Sequence, residues 1–138
     1  METPPGPLEI SRMHAPEPPH APHALGARGE RLAADFLGAA GWRILERGYR
    51  HGRREIDLIV RRRGTLAFVE VKTRSGRGWG TPEEAVTARK RKEIEAVARA
   101  YLARTRPRDV DVRFDVMAIE INGGRVVRVE HLTDAWRP

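Results

Sequence analysis

Two apolar runs in the middle of the chain, Ile56 to Val60 and Leu66 to Val71, set the tightest limit on what it can fold into. Both are short and rich in β-branched residues, and the turn Arg61-Arg62-Arg63-Gly64 joins them, so they read as a hairpin of largely buried strands. Yet Asp57, Glu70 and Lys72 fall inside or against them. Each unpaired ion in a buried strand costs several kcal/mol, so the fold has to compensate all three. Side chains alternate between the faces of a strand, which puts Leu66, Phe68, Glu70 and Lys72 on one face and Ala67, Val69 and Val71 on the other. If Asp57 on the facing strand points the same way, two carboxylates converge beside an ammonium.

Mutual repulsion opposes that convergence unless a cation sits between the carboxylates. Hard divalent cations such as Mg²⁺ or Mn²⁺ take oxygen ligands and keep several waters. An ion held this way polarises a phosphoryl oxygen and lowers the pKa of bound water. Lys72 would then orient or help deprotonate the water, or stabilise charge on the phosphorane. The competing reading is a partly buried salt-bridge cluster that holds the hairpin together.

Around this hairpin the chain divides simply. Residues 1–24 are rich in proline and poor in bulky apolar side chains, which predicts a disordered tail; 25–138 form one domain. Leu32, Ala33, Phe36, Leu37 and Ala40 recur at helical spacing over 25–40, with Glu30 on the border of their stripe. Residues 42–50 read as an edge strand. Thr81, Pro82 and Glu84 resemble a capping box that opens a helix running to about Arg104, with Val86, Ile94, Val97, Ala98, Tyr101 and Leu102 as its apolar stripe. Lys90 lies in the centre of that stripe, while Lys92 points the opposite way. Two further strands, 111–121 and 125–132, flank the turn Asn122-Gly123-Gly124. This order predicts an α/β fold in which helices flank a mixed central sheet of about five strands.

The net charge of +7 and a pI near 10.9 favour a polyanionic partner, nucleic acid above all. The basic residues at the turns, Arg53, Arg54, Arg61, Arg62 and Arg63, are candidates for its backbone. So are Arg74 and Arg77 in the glycine-rich loop, where Trp79 would stack on a base or an unpaired end. Only three of the 26 basic residues are lysine, namely Lys72, Lys90 and Lys92, and a lysine differs from arginine in being a compact charge with a shiftable pKa. Without cysteine, disulfides and thiolate metal sites are excluded. No run approaches the length of a membrane span and no signal peptide is evident, so a cytoplasmic location with no membrane partner is expected.

Asp57 followed by Glu70-Val71-Lys72 resembles the acidic motif and ExK of the PD-(D/E)xK nuclease superfamily, with its restriction-endonuclease-like fold. More narrowly, "GERLAADFLGAAGWRILERGYR", "EIDLI", "FVEVKTR", "PEEAV" with Lys90, and "RFDVMAI" resemble the YraN family of bacterial proteins, over about Leu25 to Trp136. Arg54 stands where that family usually has glycine, and Gly48 where it commonly has asparagine. The resemblance implies Asp57 and Glu70 as metal ligands, the Val71 carbonyl as a further ligand, Lys72 as the catalytic lysine and Glu30 as an accessory acid. It also implies a Mg²⁺-dependent nuclease acting on structured or branched DNA in repair or recombination, as a homodimer by analogy. Lys90 is expected to be a second positive group of that site. Asp115 reads as a fold-supporting residue rather than a ligand. The alternatives are a non-catalytic nucleic-acid-binding protein that keeps the nuclease fold, and a structural or partner-binding protein.

Overall fold

The computed structural model describes residues 22–76, 80–81 and 83–138. In chain order it contains helix α1 (Pro22–Ala39) and strands β1 (Arg43–His51), β2 (Arg54–Arg62) and β3 (Thr65–Arg74). A 3₁₀ turn (Glu83–Ala85), helix α2 (Ala88–Thr105) and strands β4 (Asp111–Asn122) and β5 (Arg125–Trp136) follow. The strands form one sheet in the order β1-β2-β3-β4-β5. All neighbours are antiparallel except β3 and β4. A parallel pair needs a crossover, and α2 provides it. The expected α/β architecture, a mixed five-stranded sheet between helices, is therefore the one observed.

The alternation along β3 sorts the core into two layers. Ala67, Val69 and Val71 pack with Leu58 and Val60 against Leu32, Ala33, Phe36 and Leu37 of α1. Leu66 and Phe68 pack with Ile59 against Ile94, Val97, Ala98 and Tyr101 of α2. Phe68 is the keystone of the second layer: its ring stands edge-on to Tyr101 at 5.9 Å and stacks on Phe114 at 5.6 Å, and Phe114 stacks on Trp136 at 5.2 Å. Such aromatic pairs are worth about 1 kcal/mol each beyond their buried area.

Several boundaries differ from expectation for identifiable reasons. Helix α1 begins at Pro22, inside the segment assigned to the tail; residues 1–21 lie outside the described residues. The helix expected from Thr81 is broken in two. Thr81 accepts the Glu84 N–H, but this closes only the 3₁₀ turn. The α-helix starts at Ala88, where the Thr87 hydroxyl accepts the Lys90 N–H at 3.2 Å. Val86 is buried in the core from a position before the helix, so apolar spacing alone extended the helix by two turns too many. Strand β5 runs four residues past Leu132, because an irregularity between Phe114 and Val116 carries Trp136 into register with Phe114.

The Asn122-Gly123-Gly124-Arg125 connection is the predicted short hairpin, with both glycines at positive φ (58° and 76°), as a type I′ turn demands. Asp115 is fully buried on the α1 side of the sheet and supports the fold, as expected. Its carboxylate accepts hydrogen bonds from Arg113 (2.9 Å), the Asp134 N–H (2.9 Å) and His131 Nε2 (2.8 Å). Burial on its own would raise the Asp115 pKa, but these donors outweigh it and hold it below the usual carboxylate range.

Candidate metal centre

The site forms where β2 and β3 part. Their ladder is regular from Arg62↔Thr65 to Leu58↔Val69 and then stops. One residue further along β2, the Asp57 carboxylate takes over the role of a ladder acceptor, its Oδ2 accepting the Val71 N–H at 2.8 Å. Asp57 therefore stands in the opening between the strands and reaches both layers. From the α1 side Glu30 hydrogen-bonds to it; from β3, Glu70 does the same. Helix α1 can bring Glu30 this close because Gly29 lies directly on Thr73, where any Cβ would collide with the threonine hydroxyl.

Glu70 follows Leu66 and Phe68 in the alternation, which turns it towards α2, where Lys90 meets it. Lys90 Nζ lies 3.7 Å from Glu70 Oε2. Glu70 is only 4% exposed, and Oε2 is among the few buried polar atoms without a hydrogen-bond partner among the described residues. Burial, the hydrogen bond with Asp57 and the charge of Asp57 push the Glu70 pKa up to about 9, against the opposing pull of Lys90 and Lys72. Glu30 is raised to about 7, first by burial, then by its hydrogen bond with Asp57 and the negative charges of Asp57 and Glu55. Without a cation, Glu70 thus holds its proton to a higher pH than an ordinary carboxyl, which weakens its charge pairing with Lys90.

These groups line a cleft of about 450 Å³ together with Val71, Lys72 and Thr73. The donor set suits a hard divalent cation: close carboxylates, two of them with pKa values raised first by burial and then by Asp57, and a buried oxygen with no donor. A cation would replace their protons and satisfy that oxygen. Glu55 is the acid that reading the sequence missed. Oxygens of Glu30, Glu55 and Asp57 lie within 4.8 Å of one another. Strict alternation puts Glu55 and Asp57 on one strand face, which was a usable signal, but the position of Glu30 beside them depends on helix packing.

Of the other expected site residues, Lys72 is half-buried on the cleft wall, and Val71 also lines the cleft, its N–H donated to Asp57. Arg74 points its guanidinium at the Gly80 and Thr81 carbonyls and so fastens the loop beside the cleft. The Arg61–Arg63 turn sits at the far end of β2 from Asp57. Arg62 stacks over Trp42 at 4.6 Å and donates to the Ala40 carbonyl, while Arg61 donates to the carbonyls of Arg63 and Arg108. The structure does not bring these three to the cleft. Arg53 and Arg54 are exposed at the near end of β2. Arg77 and Trp79 lie outside the described residues.

A mixed five-stranded sheet between helices, with acids gathered where two strands part, is consistent with a restriction-endonuclease-like α/β protein. The chain belongs to the uncharacterised protein family UPF0102, whose model matches residues 29–119. It is 49% identical over 120 residues to a UPF0102 protein of Chlorobium phaeobacteroides strain BS1, covering 83% of this chain and 95% of that protein. It is 44% identical over 117 residues to one from Geobacter sulfurreducens (85% and 91% covered), and 47% identical over 113 residues to one from Rhodococcus opacus strain B4 (82% and 96%). The YraN-like resemblance thus holds at the level of the family. No helix among the described residues is long and apolar enough to cross a membrane.

Proposed function

We propose that the protein is a Mg²⁺- or Mn²⁺-dependent nuclease of the PD-(D/E)xK type that hydrolyses phosphodiester bonds in structured or branched DNA. The observation that carries this reading is the Glu30–Asp57–Glu70 cluster: adjoining carboxylates, two of them with raised pKa, around a buried oxygen that lacks a donor. A protein with no use for a cation gains nothing from such repulsion, since apolar residues of similar volume are often as stable or more so. Asp57 and Glu70 would hold the ion, with the Val71 backbone and Glu30 beside them. The ion's contribution is to polarise the phosphoryl group and make water acidic enough to attack.

The chain's own groups do the rest. Lys72, on the cleft wall, orients the attacking water or takes its proton. Lys90, held near Glu70 by the first turn of α2, places a second positive charge where the phosphorane's negative charge develops. With Glu70 ionised, the Lys90–Glu70 contact would be charged on both sides and would fix the ammonium against the site. The net charge of +7 supports a polyanionic substrate.

The test is incubation with linear, nicked, flapped and four-way DNAs in Mg²⁺, Mn²⁺ or EDTA. Cleavage of at least one branched form is expected with either metal and none with EDTA. Lys90→Met should lower that cleavage by about 10- to 1,000-fold, the scale of one transition-state charge contact, with the fold retained. Arg99→Met, on an exposed position of the same helix, should leave it unchanged. Equal rates for the wild type and Lys90→Met would remove Lys90 from the site, and no cleavage of any substrate would favour a non-catalytic nucleic-acid-binding protein with the same fold.

A further inference from the structure

Four consecutive cations, Arg89, Lys90, Arg91 and Lys92, open helix α2, and no acid occupies its first turn. Both their mutual repulsion and the helix dipole oppose this arrangement. The structure sends the four to three places. Lys90 goes to Glu70 in the cleft. Arg91 lies over the Trp136 ring at 5.5 Å. Arg89 and Lys92, one helical turn apart, line a separate groove of about 440 Å³ with Arg54 across from them on β2. The only acid in that groove, Glu93, pairs with Arg89 at 3.7 Å. Arg54 and Lys92 are exposed, and neither side chain has a hydrogen bond or ion pair among the described residues.

The groove and the cleft draw on the same two elements, β2 and the first turns of α2, without sharing a lining residue. Arg54 is three residues from Asp57 on β2, roughly 10 Å at about 3.3 Å per residue. That is the rise of about three nucleotides at about 3.4 Å each in a DNA strand. Lys92 is two residues from Lys90 on α2. The depression that shares Lys72 and Thr73 with the cleft offers less: there Arg74 is committed to backbone carbonyls, and Glu84 adds a negative charge.

We infer that the groove between Arg54 and Arg89/Lys92 is a phosphate track, which binds the sugar–phosphate backbone of the nucleic acid on one side of the bond held in the cleft. The inference rests on the nuclease reading for the position of that bond, and it assigns a binding role to Lys92, the lysine that helical projection alone placed on a bare solvent face. The partner is a phosphodiester backbone, recognised by charge and spacing and not by base identity.

The test is equilibrium binding of a fluorescein-labelled 30-base-pair duplex DNA by the full chain in EDTA, across a KCl series. Each phosphate neutralised contributes about 0.9 to the slope of log affinity against log salt, so Arg54→Ala/Lys92→Ala should flatten it by about 1.8. The same loss of charge in Arg99→Ala/Arg108→Ala, exposed positions outside the groove, should leave the slope as in the wild type. Equal slopes for the wild type and the groove variant, an equal loss in the control pair, or no binding by the wild type would each overturn the track. Because no metal is present and no cleavage is read, the two readings fail separately. Binding with the predicted slopes but without cleavage indicts the nuclease activity alone, and metal-dependent cleavage with unchanged slopes indicts the track alone.

Discussion

Glu70 shows how a single side chain can be costly in one state and necessary in another. Its pKa is raised from 4.5 to about 9, chiefly by burial and then by Asp57. A carboxyl whose folded pKa exceeds its unfolded one stabilises the fold fully below the unfolded pKa, and that stability is lost as pH rises through the folded pKa. The metal-free protein should therefore lose thermal stability between about pH 5 and pH 9, and Glu30, raised to about 7, adds to the same trend. Glu70→Gln keeps a hydrogen-bond donor towards Asp57 and cannot ionise. In EDTA at pH 8 it should melt at a higher temperature than the wild type and show a shallower decline with pH, while losing cleavage in Mg²⁺. A wild type whose melting temperature is flat from pH 5 to 9 in EDTA would show that the cluster does not hold the protons assigned to it. The signs of these shifts were not legible in the sequence. Glu70 on a strand face with Phe68 announced burial, but the hydrogen bonds through Asp57 follow from the parting of β2 and β3, which no local pattern encodes.

At the scale of elements, the positioning of Glu30 depends on how closely α1 approaches β3. Gly29 makes the approach, with Thr73 directly beneath it. Gly29→Ala gains helix propensity of roughly 0.5–1 kcal/mol. The collision with Thr73 outweighs it, since overpacking a well-filled site costs about 1–3 kcal/mol. The expected result is a net loss of stability in chemical denaturation, with reduced cleavage as Glu30 moves away from Asp57. Gly29→Ala/Thr73→Ala removes the obstructing hydroxyl and should recover most of both. Failure of the second substitution to rescue the first would show that α1 is held by other contacts. Reading periodicity correctly placed Leu32, Ala33, Phe36 and Leu37 on the inner face of this helix, and the same method split β3 into its two faces. It could not distinguish Thr81 from Thr87 as the cap of α2. Both threonines accept a backbone N–H three residues on, and only the burial of Val86 outside the helix decides between them.

For the whole molecule, the site is a place where all three layers meet. Helix α1 supplies Glu30, the sheet supplies Asp57, Glu70 and Lys72, and α2 supplies Lys90. The acids and lysines of the set were legible because ions stand out in apolar strands and stripes. Glu55 was missed because it lies at a strand end where charge is ordinary, and the basic turn Arg61–Arg63 attracted attention by charge although the topology carries it to the far end of β2. A cation bound among the layers would stabilise the fold in proportion to its occupancy, since it binds the folded chain only. The most direct measurement is calorimetric titration of Mn²⁺ into the metal-free protein at pH 7.5, repeated in buffers of different ionisation enthalpy. The wild type should bind with release of protons from the Glu30–Asp57–Glu70 cluster, seen as a buffer-dependent heat, and Asp57→Asn, folded by circular dichroism, should not bind. Equal Mn²⁺ uptake by the wild type and Asp57→Asn, or no uptake by either, would contradict a metal centre at this cleft.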